Sequence, residues 1–201
     1  MHIVVASREG EVVARVKLAA TIAAAALLST PIAKCQSSIQ TSPSTDLARG
    51  NAYYRGQGIP QNYAQAAYWY QKAANQGYAG AQYNLGLLYD RGQGVPRNYA
   101  QAADWFRKAA NQGDARAQYG LWICYKEGQG VPQSISKADY WLRKAAQEGY
   151  ADAQYDLGTS YYNGQGVPQN YAAAYMWFDL AAAQGLSQAA HGRDRPSAGA
   201  D

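Results

Sequence analysis

The sequence is short of cysteine, histidine and phenylalanine, with two of each in 201 residues. Two cysteines, Cys35 and Cys124, build neither a disulfide framework nor a thiolate metal site. Cys35 lies at the edge of an apolar leader, which leaves one thiol in the folded part. Cys124 falls in the apolar run "LWICY", where a cysteine acts as a small buried core residue. His2 and His191 stand near opposite ends of the chain, a poor basis for a histidine triad or a zinc site. No metal or cofactor is expected. Charge of either sign is also sparse. The formal net charge is +4, from 18 basic and 14 acidic residues. Half of the excess lies in residues 1–35, where Arg8, Arg15, Lys17 and Lys34 face Glu9 and Glu11. No basic stripe interleaved with aromatics follows, so nucleic acid is not an expected partner.

Glycine, alanine and tyrosine are abundant, and they recur in phase. "GQGIPQNYAQAAYWY" begins at Gly56, "GQGVPRNYAQAADWF" at Gly92, "GQGVPQSISKADYWL" at Gly128 and "GQGVPQNYAAAYMWF" at Gly164. The step is 36 residues, and Trp69, Trp105, Trp141 and Trp177 keep it. A glycine-rich loop before a helix can cradle phosphate, but one site needs one loop. These copies lack the Lys-Ser/Thr of a P-loop, and no strand pattern precedes them. A fixed period repeated four times describes an architecture.

Within one period, Ala81, Leu85 and Tyr89 are spaced by four and form one stripe of a helix. Gly92 ends that helix in the left-handed cap conformation. Gly94 lets the chain turn, and Pro96 denies a continued helix. Asn98 is an N-cap for a second helix, with Gln101 placed to answer it as in a capping box. Ala102, Trp105 and Ala109 share a face of that helix, Phe106 and Ala110 extend it, and Gly113 ends it. Asp114 then caps the next helix. The unit is a two-helix hairpin, which cannot bury its apolar stripe alone. Stacked neighbours bury it along a continuous superhelical core.

Both ends differ from the array. Arg15 and Lys17 precede an apolar run from Leu18 to Leu28, followed by Ser29, Thr30 and Pro31. Basic, apolar, then small and polar is the order of a secretory signal. The run is shorter than the roughly twenty residues that span a bilayer. Residues 1–35 are therefore expected to be a signal peptide, with no stable membrane insertion after its removal. The acidic Glu9 and Glu11 are unusual there, and translation starting near Val13 or Val16 would remove them. Lys34 stands before Cys35 where a lipid-attachment motif calls for a small residue. Residues 36–45 read as a polar linker, residues 46–190 as the array, and residues 191–201 as a disordered tail. The protein is expected in the periplasm or secreted.

The pattern Ala81, Leu85, Gly86, Tyr89, Gly92, Gly94, Val95, Pro96, Ala102, Trp105, Lys108, Ala109, Ala110 and Gly113 resembles the Sel-one-like repeat family, a branch of the tetratricopeptide-type repeats. The resemblance covers about residues 46–190. It implies an all-α fold, a right-handed α/α superhelical solenoid of about four 36-residue helix hairpins. It also implies a non-enzymatic adaptor that binds a protein or peptide. Two departures stand out. The first unit has Leu47 and Arg49 in place of Tyr83 and Leu85, as an atypical terminal cap would. The third unit has Trp122 at the position of Gly86 and Gly158, either a local change in helix packing or an exposed aromatic anchor.

In related repeats the face carrying Tyr83 is similar to the inner wall of the superhelix. The candidate partner-binding residues are therefore Tyr83, Leu87 and Asp90, then Tyr119, Ile123 and Lys126 with Trp122, then Tyr155, Thr159 and Tyr162. Tyrosine supplies amphipathic contact area at low entropy cost, although tyrosines at helical spacing equally pack between units. Arg107, Lys108, Arg143 and Lys144 are expected on a solvated outer face. Asp104, Asp139 and Asp152 form no pair that spacing defends as acid and base. Two other functions are open to this sequence. Cysteine-rich relatives are linked to β-lactam binding and hydrolysis, but the cysteines that staple their repeats have no counterparts here. A tyrosine-lined groove could also stack on cell-wall glycan.

Overall fold

The computed structural model describes residues 42–193. Among these residues every regular element is helical. The first helices of the four hairpins are α1 (Pro43–Arg55), α3 (Ala79–Arg91), α5 (Ala115–Glu127) and α7 (Ala151–Asn163). Their partners are α2 (Tyr63–Asn75), α4 (Tyr99–Ala110), α6 (Ile135–Gln147) and α8 (Tyr171–Ala183), and a short α9 (Ser187–Arg193) follows. Each helix packs on the helices next to it in sequence. Two expected boundaries move. Ser42 caps α1 by accepting from the Thr45 N–H, so residues 43–45 belong to the array rather than to the linker. At the other end α9 carries helix three residues beyond residue 190. The leader and most of the linker and tail lie outside the described residues.

The corners follow their local chemistry. Gly92 takes φ 69° and its N–H reaches the Leu88 carbonyl. Gly94 also has positive φ, at 71°. The Asn98 side chain accepts from the Gln101 N–H at 3.0 Å. The capping box is not completed by Gln101, because the Asn98 N–H donates to the Tyr89 carbonyl across the corner at 2.8 Å. A cross-corner bond does the same at Asn62, Ser134 and Asn170. Asp114 caps α5 as expected, accepting from the Arg116 and Ala117 N–H groups.

The core is small-residue rich. Alanines from both helices are buried around one large side chain per second helix: Tyr70, Phe106, Leu142 and Phe178. The repeated tryptophans do not fill this place. Trp69, Trp105, Trp141 and Trp177 are half-buried at the edge, with Lys108 lying 3.8 Å from the Trp105 ring centre. The large side chain sits on the glycine of its own first helix. A Cβ on Gly86 would stand 2.6 Å from Phe106, and one on Gly158 would stand 2.8 Å from Phe178. The third unit inverts this pair. Trp122 occupies the glycine position, and Leu142 occupies the aromatic one. Trp122 is half-buried against Tyr119, ring centres 4.8 Å apart, and packs on the cores to both sides.

A buried glutamine latches each unit to the one before. Gln82, Gln118 and Gln154 donate to the Ala74, Ala110 and Ala146 carbonyls. These belong to the last turn of the preceding helix, where carbonyls lack intrahelical partners. The glutamine oxygen needs its own donor. Gln112 supplies it to Gln82 at 2.7 Å, and Gln184 to Gln154 at 2.8 Å. At the matching place beside Gln118 stands Glu148, whose side chain has no N–H to give, and Gln118 Oε1 is buried without a partner. Restoring the donor with Glu148→Gln is expected to stabilise the fold by about 1 kcal/mol, the net worth of a hydrogen bond to a buried orphan. Urea unfolding of the two proteins checks this, and an unchanged midpoint would refute it.

Candidate functional site

The first helices α1, α3 and α5 leave two adjoining clefts between them. The one between α1 and α3, of about 190 Å3, is lined by Leu47, Asn51, Tyr54, Arg55, Asn84 and Arg116, among others. The one between α3 and α5, of about 210 Å3, is lined by Tyr83, Leu87, Asp90, Tyr119, Ile123 and Arg116, among others. Leu87 and Arg116 line both, so the clefts form one groove across successive units. Five of the ten expected residues meet there: Tyr83, Leu87, Asp90, Tyr119 and Ile123.

The other five do not join it. Trp122 and Lys126 line a separate cavity of about 160 Å3 beside Ile135, Leu142 and Gly166, and the Lys126 ammonium lies 4.7 Å from the Trp122 ring centre. Tyr155 packs on Phe178, ring centres 5.6 Å apart, and Tyr162 on Tyr171 at 5.2 Å. Thr159 Oγ1 is buried without a hydrogen-bond partner.

The tyrosines are pieces of the scaffold as well as groove wall. Tyr83 stacks obliquely on Phe106 at 5.9 Å. The Tyr119 hydroxyl donates to Asp156 Oδ2 at 2.7 Å, bridging α5 to α7. Burial raises the pKa of Tyr83, of Tyr119 and of Tyr150, and for Tyr119 the Asp156 carboxylate adds to the effect. Burial likewise raises the carboxyls of Asp90 and Asp156. The Cys124 thiol is free, buried and pushed up to about 11 by desolvation. It is a packed core atom, as its sequence context suggested.

Arg116 is the residue that sequence reading missed. Its guanidinium lies 4.5 Å from the Tyr83 ring centre. It also forms two bonds to the Asp114 carboxylate, at 2.6 and 3.1 Å. That carboxylate caps α5, so the cap fixes the arginine over the groove. Asn51 and Asn84 were missed too. Asn51 Oδ1 accepts from the Tyr70 hydroxyl at 2.8 Å and from Asn84 Nδ2 at 3.3 Å, tying α1 to α3. A signal was available. Position 116 is Gly80 and Asp152 in neighbouring units, and position 84 is Gly120 and Asp156. Such non-repeating positions on a repeating face are free to specify a ligand.

Among the described residues no group of three or more His, Cys, Asp or Glu side chains could hold a metal ion. No helix among them is long and apolar enough to cross a membrane.

No curated protein matches this chain. Two solved structures are alike in sequence and in fold. A protective antigen present in uropathogenic Escherichia coli strains, displaying an SLR fold, is 38% identical, with a TM-score of 0.69, over 78% of this chain and 33% of its own. A Sel1 repeat protein from Oxalobacter formigenes is 36% identical, with a TM-score of 0.66, over 83% of this chain and 66% of its own. The chain thus spans about a third of the first protein and just under two thirds of the second. Cysteine rich protein B of Helicobacter pylori, at 23% identity and a TM-score of 0.52, shares the fold over 68% of this chain and 98% of its own. The Sel1 repeat model matches residues 45–78, 79–114, 115–150 and 151–186. Three of these units open on the first residues of α3, α5 and α7, so the sequence repeat and the hairpin are one object. The chain belongs to the Sel1-repeat family, whose members are generally protein–protein interaction scaffolds.

Proposed function

We propose that this protein is an exported, non-catalytic scaffold that binds a protein or peptide in the groove along α1, α3 and α5, on the concave side of the array, in the bacterial envelope or outside the cell. One observation carries the binding site. Leu87, Ile123, Asp90 and Arg116 occupy positions where the repeats differ, yet they converge on one groove. Scaffold positions repeat because stacking demands them, and ligand positions are released from that demand. The polar and aromatic lining suits a peptide laid across several units. Export is supported by the basic-then-apolar order of residues 15–28.

The test needs variants that spare the scaffold. Alanine at Tyr83 or Tyr119 would remove core packing and a helix-bridging hydrogen bond, so lost binding there would be ambiguous. Leu87 is half-buried and Ile123 is 37% exposed at the groove. Leu87→Glu with Ile123→Glu puts charge on the apolar wall. Tagged chain, expressed in a bacterial host, is isolated from envelope and medium, and its N-terminus is sequenced. It is then used to capture partners, beside this variant and beside Asp104→Ala on the exposed face of α4. A processed N-terminus supports export, and an uncleaved cytoplasmic chain would refute it. The groove variant should retain partner about thirtyfold more weakly, as loss of a roughly 2 kcal/mol hot spot implies, and Asp104→Ala should retain it fully. Equal retention by all three would remove the binding site from this groove.

A further inference from the structure

The two clefts differ in charge. The polar side chains lining the cleft between α1 and α3 are Asn51, Asn84, Tyr54, Tyr70, Arg55 and Arg116, with no carboxylate. Arg55, exposed at the end of α1, makes no ion pair within 4 Å among the described residues. Arg91, at the equivalent place on α3, lines the next cleft and donates to the Tyr54 hydroxyl at 3.1 Å. Asn51 has its oxygen occupied by two donors, so the amide hydrogens are what it has left to offer. The carboxylates of the first helices lie elsewhere. Asp46 of α1 is buried and paired with Lys72, Asp90 lines the second cleft, Asp114 is held by Arg116, and Glu127, Asp152 and Asp156 sit on α5 and α7. The first helices are thus net cationic in α1 and α5, balanced in α3, where Arg91 offsets Asp90, and acidic in α7.

We propose that the cleft between α1 and α3 takes acidic side chains of an extended partner peptide, whose apolar residues continue along Leu87 and Ile123. This rests on the peptide-binding reading above and adds the partner's chemistry and direction. Guanidinium groups match carboxylates in planar, two-point geometry. The amide hydrogens of Asn51 add neutral donors beside them. Arg116 remains available although Asp114 holds it, because the Asp114 bonds use Nε and Nη2 and leave Nη1 to donate. The lining of this cleft carries no carboxylate, and Asp114 beside it is already paired with Arg116, whereas over α7 an incoming carboxylate would face Asp152 and Asp156.

The test is selection of random dodecapeptides displayed with their C-termini fused, so that only side-chain carboxylates are sampled. The full chain is the bait, beside Arg55→Gln and Arg55→Gln/Arg116→Gln. The single variant alters an exposed side chain and keeps the Asp114 cap, and circular dichroism verifies both folds. Selected peptides should be enriched in Asp and Glu at one end and in apolar residues at the other. In fluorescence anisotropy a labelled selected peptide should bind the double variant about tenfold more weakly, the effect of about 1.4 kcal/mol from a lost charge-assisted contact. Its affinity should also fall as ionic strength rises. Peptides enriched in apolar residues without acid would overturn this proposal and leave peptide binding intact. Acid enrichment that persists against both arginine variants would overturn it too. Enrichment of no peptide at all would refute the peptide-binding reading and this proposal with it.

Discussion

Gly94→Ala should cost on the order of 4 kcal/mol of stability, while Gly58→Ala, with nearly the same backbone, should cost about 1–2 kcal/mol. Both glycines occupy the same place in the corner, at φ 71° and 73°. An L-residue there pays for the left-handed conformation alone. Their surroundings differ. Among the described residues nothing lies within 4 Å of a Cβ built on Gly58. A Cβ on Gly94 would overlap the carbonyl group of Tyr63 at the start of α2, and one on Gly130 would overlap that of Tyr99. Backbone at a helix start cannot swing aside as a side chain can. The seam between units must open, and overpacking adds to the conformational cost. Chemical denaturation of the parent, Gly58→Ala, Gly94→Ala and Gly130→Ala decides the matter. Equal losses at all three would mean that the corner glycine serves the turn only and that stacking tolerates a methyl group.

The second large effect lies in the third unit. Trp122→Gly should destabilise by about 3–5 kcal/mol, the range for removing a large aromatic side chain from packed surroundings. Leu142→Phe alone should cost about 1–3 kcal/mol by forcing a larger ring against Trp122. Together they recreate the pairing of Gly86 with Phe106 and of Gly158 with Phe178. The double variant is therefore expected to recover about 1–3 kcal/mol relative to the sum of the single changes, the size of a coupling between touching residues. Recovery should be incomplete. Phe106 and Phe178 also rest on a glycine of the following unit, Gly120 and Gly192, where a Cβ would stand 3.2 Å away. The equivalent residue beyond Leu142 is Asp156, held by the Tyr119 hydroxyl. Additive single effects in a thermal or urea double-mutant cycle would show that Trp122 and Leu142 do not compensate each other.

These two cases mark the edge of what the sequence makes legible. Trp122 was visible as a departure from the repeat, but its compensation by Leu142 was not, because the two lie twenty positions apart on different helices. The tryptophan at each 36-residue step invited a core assignment. The core place went to the next residue, Phe106 or its equivalent. One step along a helix rotates a side chain by about a quarter turn or more, so a neighbouring aromatic at the edge of the apolar stripe is hard to separate from one at its centre. The candidate site was half legible. Tyr83, Leu87, Asp90, Tyr119 and Ile123 meet in the groove, while Tyr155, Thr159 and Tyr162 share their repeat positions and line none of its clefts.

The sequence by itself determined the period, the hairpin, its corners and its caps. Those features follow from constraints that act over a few residues: a positive φ that glycine relieves, a proline without an N–H, an asparagine within reach of an N–H three positions on. The tertiary structure alone decided the glutamine latches, the inverted pair of the third unit and the joining of Arg116 to Tyr83 above the groove. The latch is completed by a glutamine thirty positions on, the inverted pair lies twenty positions apart, and Arg116 stands thirty-three positions from Tyr83. Their meeting depends on the angle and offset at which one hairpin stacks on the next. Those are set by the volume of side chains along the whole seam.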